Sequence, residues 1–279
     1  MGHMHAGPPQ AQPMPLPGVQ NIIAVGSGKG GVGKTTISVN LAVGLAKLGY
    51  KVGLLDADVY GPNVPLMMGV NMQPRVIGEN QIEPLEAHGI KVISVGFINP
   101  GDRPLVWRGP MLHSLIKQFL QQVMWGALDF LIVDLPPGTG DVVISLFQTV
   151  PLSGAIVVST PSDVSLQDAR KAIEMFRSVK VDIFGIVENM STFVCPHCRH
   201  EIDIFSKGGA ERTAKQFGIP YLGAVELDPD IRKGGDTGLP TVLAGEQSVK
   251  AKSFYELARK ITAAAMEHGA KAENVIQIT

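Results

Sequence analysis

The chain has 279 residues with Lys+Arg 24 against Asp+Glu 25, so no net field recruits nucleic acid or anionic lipid. Hydrophobic residues make up 45%, aromatics only 6%, and there are Gly 32, which suits aliphatic strands covered by helices through tight glycine turns. No uncharged apolar run reaches the roughly 20 residues of a membrane-spanning helix and the amino terminus lacks the apolar stretch of a secretory signal, so a cytoplasmic protein with neither membrane nor nucleic acid as partner is expected.

Residues 1–18 are dominated by Pro, Gln, Gly and Met. Met1–Met4 reads as a tag, and the whole stretch is expected to be a disordered tag and linker remnant ahead of one domain at residues 19–279. From Ile22 onward, short apolar runs alternate with longer amphipathic segments, the rhythm of a parallel sheet with crossover helices. Strands are predicted at Ile22–Val25, Val52–Asp56, Val92–Val95, Phe130–Asp134, Ala155–Ser159, Ile183–Glu188 and Tyr221–Val225. Helices are predicted to begin near Lys34, Pro110, Asp141, Ser165, Lys207 and Gln247, the fourth because Ser165 and Asp168 match a capping box with Asp in place of Glu. Between Met67 and Ile90, scattered Gly, Pro and Asn leave two readings, a loop excursion or a small hairpin edge. The resulting fold class is α/β, a mostly parallel sheet of seven to eight strands with helices on both faces.

Gly28-Lys29-Gly30-Gly31-Val32-Gly33-Lys34-Thr35 satisfies the pattern G-x-x-x-x-G-K-[ST] between an apolar strand and an amphipathic helix. Glycines without Cβ let successive backbone N–H groups turn inward onto phosphate oxygens, and the helix amino terminus adds partial positive charge. Lys34 neutralises the β- and γ-phosphates in this reading. The Thr35 hydroxyl ligates Mg²⁺, and Thr36 completes the cradle. The motif predicts binding of Mg-ATP with slow hydrolysis; the alternative, a glycine-rich turn that binds nothing, does not explain the full match in a strand-loop-helix setting.

Downstream, apolar Phe130-Leu131-Ile132-Val133 ends in Asp134, a carboxylate at the edge of a buried strand where a Mg²⁺-bound water needs an acceptor. Leu54-Leu55-Asp56-Ala57-Asp58 also ends a strand, and period two puts both aspartates on one side of the chain. Asp58 lies further out and is assigned to Mg²⁺ and the attacking water. The plainer alternative for Asp56 and Asp58 is capping of the next helix or turn.

Cys195 and Cys198 are the chain's two cysteines. Their spacing lets two thiolates converge on one metal centre, but an iron–sulfur cluster or a structural zinc takes four ligands. A cluster, zinc held with help from His197 or His200, and a redox disulfide all remain open on the residues alone. His88 and His113 read as surface or packing residues, His3 and His5 fall in the tail, and Met67, Met68, Met111 and Met124 read as gap-fillers of the core.

With Lys29 present, the loop resembles the deviant Walker A of the MinD and ParA-like P-loop ATPases. Within that superfamily, the chain from about Pro15 to Leu243 resembles the Mrp-type iron–sulfur carrier ATPases. The resemblance is carried by Pro15-Leu16-Pro17-Gly18-Val19, Asp56-Ala57-Asp58-Val59-Tyr60-Gly61-Pro62-Asn63, Trp107-Arg108-Gly109-Pro110-Met111, Asp134-Leu135-Pro136-Pro137-Gly138-Thr139-Gly140-Asp141, and Glu188-Asn189-Met190-Ser191 leading into Cys195-Pro196-His197-Cys198. It implies an ATP-dependent homodimer in which Lys29 crosses the interface to the second copy's phosphates, acting like an arginine finger; its alternative is a solvated lysine. It also implies that Asn189 reads the adenine edge, and that Leu227-Asp228-Pro229 closes the base pocket. Cys195 and Cys198 of both copies would hold a [4Fe–4S] cluster at the two-fold axis, taken from donor proteins and passed to client apoproteins, with Zn²⁺ the expected substitute in aerobic preparations. Many relatives carry a small domain ahead of the ATPase, where this sequence has only its Pro/Gln-rich stretch. Two other readings are a MinD/ParA-type positioning ATPase and a zinc or nickel metallochaperone. For the first, the usual tether is missing, since Lys260–His268 is Ala-rich and Ile276–Thr279 has no basic face.

Overall fold

A computed structural model describes residues 13–78, 80–98 and 109–276. The first half contains β1 (Val19–Gly26), α1 (Lys34–Lys47), β2 (Val52–Asp56), α2 (Val64–Met67), β3 (Arg75–Ile77), β4 (Gln81–Glu83), β5 (Leu85–Ala87), β6 (Ile90–Ser94), α3 (Gly109–Gln122) and β7 (Leu128–Asp134). There follow α4 (Asp141–Thr149), β8 (Gly154–Ser159), α5 (Asp163–Ser178), β9 (Ile183–Asn189), β10 (Phe193–Val194), β11 (Glu201–Ile202), α6 (Gly209–Phe217), β12 (Tyr221–Val225), α7 (Pro229–Asp236) and α8 (Val249–Ile276).

Eight strands form one sheet in the order β12-β9-β8-β1-β7-β2-β6-β5. All neighbours pair in parallel except β5, which runs antiparallel to β6 with Leu85 opposite Val92. The seven predicted strands are the parallel ones. Their short, unalternating apolar runs have a physical cause: every residue of β2 and β8 is buried, because helices cover both faces of the sheet. Of the two readings of Met67–Ile90, the hairpin edge is the nearer, with β3 and β4 paired as a separate hairpin and β5 joining the sheet as its antiparallel edge. β1 lies between β7 and β8, so the loop leaving its carboxyl end opens where the chain's connections diverge to either side, the usual place for a ligand in such sheets. No helix of the described residues is long and apolar enough to cross a membrane.

Three local differences from the sequence reading have simple causes. α5 begins at Asp163 with Ser162 as its N-cap, whose hydroxyl accepts from the Ser165 N–H; the predicted cap, Ser165, is already inside the first turn, and Asp168 pairs with Lys171 instead. α7 went unpredicted although Asp228-Pro229 is a helix-start signal, with the Asp228 carboxylate accepting from the Asp230 N–H at 2.6 Å. Packing also starts ahead of Val19: the Met14 N–H donates to the Thr149 carbonyl at 3.1 Å and Leu16 is only 7% exposed within the core. The Trp107-Arg108 pair of the family pattern lies outside the described residues.

Asp56, at the end of β2, is fully buried and in register with Asp134 on β7. Its carboxylate accepts from the Ser94 hydroxyl at 2.7 Å, the Asp58 N–H at 3.1 Å and the Val64 N–H at 3.4 Å. It therefore fastens β6 and the start of α2 to the middle of the sheet, close to the capping alternative read from the sequence. Burial, followed by the neighbouring Asp134 carboxylate, pushes its carboxyl up to about 8.

Two stability predictions follow from this packing. Replacing Leu16 by Ala should lower the unfolding free energy by about 2–3 kcal/mol in urea denaturation; an unchanged midpoint would detach that segment from the core. For Asp56 the folded chain holds a proton that the unfolded chain loses near pH 4, so its stabilisation is complete below that pH and fades as pH rises to about 8. The unfolding free energy of the nucleotide-free protein should accordingly decline across that interval. Asp56→Asn, which mimics the protonated form, should flatten the decline, and an unaltered slope would remove Asp56 as its source.

Candidate functional site

The loop between β1 and α1 is shaped by two close approaches. A Cβ at Gly28 would fall 2.1 Å from the Asp168 carbonyl on α5, and one at Gly33 would fall 2.1 Å from the Asn189 Nδ2. Gly33 also adopts φ +80, a backbone conformation that glycine takes without strain. With glycine as the N-cap, no side chain covers the first turn of α1, and its N–H groups are left to face an anion. Above the loop is a cavity of about 310 Å³, lined beyond the loop by Asp58, Asn63, Met67, Ile231, Arg232 and Asp236.

Lys34 opens α1 and is 5% exposed. Its ammonium lies 2.9 Å from Asp134 Oδ2 and 3.5 Å from Asp58 Oδ2. Burial alone would push this lysine down, but Asp134, Asp58 and Asp56 together outweigh burial and hold it above its ordinary value. Asp134, fully buried at the end of β7, also accepts from the Thr35 hydroxyl at 2.8 Å and the Ser38 hydroxyl at 2.6 Å. Asp58 is raised by burial, which overcomes the lowering effect of Lys34. The arrangement keeps a charged ammonium at the floor of an open cavity beside hard oxygen donors. The Thr35 hydroxyl with Asp58 and Asp134 fits the preferences of a magnesium ion, and the lysine with the loop N–H groups fits a polyphosphate.

Of the residues expected at this site, Lys29 through Thr36 and Asp58 line the cavity. Gly28, Asp134 and Asn189 stand behind it. Asn189 is 3% exposed, and its Nδ2 donates to the Val32 carbonyl at 2.8 Å, so it supports the loop from below. Lys29 is half-buried at the loop and makes no ion pair among the described residues. Leu227-Asp228-Pro229 is not among the residues lining the cavity, whereas Ile231, Arg232, Gly235 and Asp236 of α7 are. Sequence reasoning missed Ser38, although it stands one helical turn after Lys34 and so faces the same way. Of the methionines taken for the core, Met68 is in it at 1% exposed, Met67 packs against it while also lining the cavity, and Met111 is exposed.

The cysteines sit on a hairpin beyond β9. β10 and β11 pair antiparallel with Phe193 opposite Ile202, and the turn closes through Cys195 N–H to His200 carbonyl at 3.0 Å and Arg199 N–H to Cys195 carbonyl at 2.8 Å. Both thiols are unpaired, Cys195 half-buried and Cys198 exposed. Hydrogen bonds from the N–H of Cys198, then of His197, then from the Cys198 thiol, hold the Cys195 thiol below its ordinary value, which favours the metal-binding thiolate. Among the described residues no three His, Cys, Asp or Glu side chains gather to hold a metal ion, so neither His197 nor His200 completes the pair within one chain. Around the hairpin Val194, Ile202, Ile204 and Phe205 leave apolar surface exposed.

The family model described as "ParA: NUBPL iron-transfer P-loop NTPase" matches residues 18–262. An iron-sulfur cluster carrier protein from Synechocystis is 51% identical over 249 residues, 87% of this chain and 70% of that relative. Among solved structures, a nucleotide-binding protein from Archaeoglobus fulgidus in complex with ADP aligns with a TM-score of 0.71 at 38% identity, over 80% of this chain and 88% of that one. The cell division ATPase MinD of Pyrococcus furiosus aligns with a TM-score of 0.65 at 26% identity, over 88% of this chain and 99% of that one. The family match takes in both the phosphate loop and the cysteine hairpin, and the chain belongs to the NUBPL iron-transfer P-loop NTPases, with the nucleotide-binding fold of the MinD and ParA ATPases.

Proposed function

We propose that this protein is an ATP-binding iron–sulfur carrier. Two copies bring Cys195 and Cys198 together to hold a [4Fe–4S] cluster, which they receive from donor proteins and pass to client apoproteins. The observation that carries this reading is the half-complete metal site: two free thiols on an exposed hairpin, with no third ligand gathered beside them among the described residues. A symmetric pair of chains doubles the thiolates to the four that a cluster takes. The exposed apolar side chains around the hairpin suit burial against a second copy. Free thiols of this kind persist in a reducing compartment, and a cytoplasmic setting is part of the same proposal.

For ATP, Gly28 to Thr36 wrap the phosphates, and Lys34 turns from its carboxylates to the β- and γ-phosphate oxygens. Magnesium, when bound, supplies charge neutralisation at the phosphates, with Thr35, Asp58 and Asp134 as its direct or water-mediated holders. Asp58, facing the cavity, orients the attacking water. Lys29 of the second copy offsets charge that develops on the transferred phosphoryl group. Asn189 serves chiefly as a prop for Val32; reading the adenine edge requires its amide to turn from that carbonyl. Slow hydrolysis then switches the arrangement of the two copies, and nucleotide and cluster affinity are linked reciprocally.

Two measurements test this. Lys29→Ala should leave ATP affinity within a few-fold and reduce phosphate release by about 10³-fold; full turnover in the variant would exclude the cross-interface role. In anaerobic reconstitution with iron and sulfide, wild type should hold about four irons per pair of chains and develop visible absorption. Cys195→Ala with Cys198→Ala should lose both, and equal iron in that variant would reject the cluster assignment. Thiol-dependent zinc without acid-labile sulfide would point to the metallochaperone reading instead.

A further inference from the structure

The end of β9 joins two parts of the molecule that the sequence keeps far apart. Asn189 and Met190 press on the phosphate loop: a Cβ at Gly33 would lie 2.1 Å from Asn189 Nδ2 and 3.4 Å from Met190 Cε, and the Asn189 amide donates to the Val32 carbonyl. The preceding residue, Glu188, points to the opposite face by the period of a strand. It is 1% exposed. One of its oxygens accepts from the Gly208 N–H at 2.9 Å and the other from the Ala210 N–H at 2.8 Å.

Those two N–H groups belong to the start of α6, which the cysteine hairpin reaches from the end of β11 at Ile202 through residues 203–207. Gly208 is the N-cap of α6 and has no capping side chain, so Glu188 caps the helix from another strand through two charge-assisted bonds. The hairpin's other stem leaves directly from Glu188 through Asn189 and Met190. That stem is pinned to the end of β12 by Ser191 N–H to Val225 carbonyl and Leu227 N–H to Thr192 carbonyl, both at 3.0 Å. Met190 sits at φ +57, a strained conformation for a side chain of its size that the surrounding contacts must enforce. Both stems of the hairpin are therefore fixed to one strand end, and that strand end has no slack against Gly33.

We propose that Glu188 is a positioning residue that couples the phosphate loop to the Cys195–Cys198 hairpin. A shift of Val32 and Gly33 on nucleotide binding displaces Asn189 and Met190, and Glu188 carries the displacement to Gly208 and Ala210, so both hairpin stems move together. The inference deepens the carrier reading and rests on it for its purpose, though the mechanical link concerns the hairpin whatever it binds.

Hydrogen exchange on the cluster-free, full-length protein tests it, with and without Mg-ADP. In wild type, nucleotide should slow exchange at residues 27–36 and also change it at residues 190–210, with the Gly208 and Ala210 amides among those affected. Glu188→Gln keeps the shape but can accept only one of the two bonds. It should show the same protection at residues 27–36 while the change at residues 190–210 falls several-fold. An equal response at the hairpin in this variant, or none in wild type once the loop is protected, overturns the proposal. Should the variant not fold, the wild-type Gly208 and Ala210 amides decide, since unchanged protection there refutes the link and a change in step with the hairpin upholds it. Because no cluster is present, this outcome is separate from the iron content that judges the carrier reading.

Discussion

A lysine ammonium held out of water at the edge of a parallel sheet is the interaction on which the cavity depends. Lys34 is charged where burial would strip its proton, and it stays so only because Asp134 and Asp58 stand within 2.9 and 3.5 Å. A lone buried charge is costly, and removal of either member of such a pair leaves the other uncompensated. The pair is therefore stable only as long as something anionic stays near Lys34, and in the chain alone that is carboxylate. A phosphate offers more charge and more oxygens than a carboxylate, so the demand that holds Lys34 to Asp134 would be met as well by the polyphosphate of the proposed nucleotide.

The sheet explains why the three aspartates converge. β2 and β7 are parallel neighbours in a register that sets Asp56 beside Asp134, so their carboxylates cannot both ionise cheaply. The two are distinguished by their donors. Asp134 has the Lys34 ammonium and two hydroxyls, and Asp56 has one hydroxyl and two N–H groups. Asp134 is accordingly the carboxylate paired with Lys34, and Asp56, its carboxyl pushed up by burial, takes the structural part.

The fold was legible because a sheet buried on both faces writes itself as short runs of Val, Ile and Leu, a pattern that survives without alternation. The phosphate loop was legible because its residues are contiguous and each has a separate physical reason. What escaped was the chemistry between distant segments. That Ser94 would meet Asp56, or that Glu188 would cap α6 rather than simply end a strand, has no signature within either segment. Asn189 shows the same limit from the other side: its place at a strand end was readable, but its hydrogen bond to Val32, 157 residues away, was not. α7 is a different kind of miss, since Asp228-Pro229 announces the helix locally and was read only as part of a pocket.

The cysteine hairpin inverts the logic of the phosphate loop. The loop is embedded, with Gly28 pressed on α5 and Gly33 on Asn189. The hairpin stands out from the sheet on a two-residue ladder, with its stems held by Glu188 and by the end of β12, Cys198 exposed and Cys195 half-buried. A metal centre assembled there gains little from a surrounding shell of protein, and such a shell is what ordinarily fixes ligand orientation and excludes solvent. On the proposed carrier reading, a site so exposed suits cargo that must leave. Its geometry can only be as firm as the stems beneath it, and on the proposed coupling the strand end shared with the phosphate loop would control it.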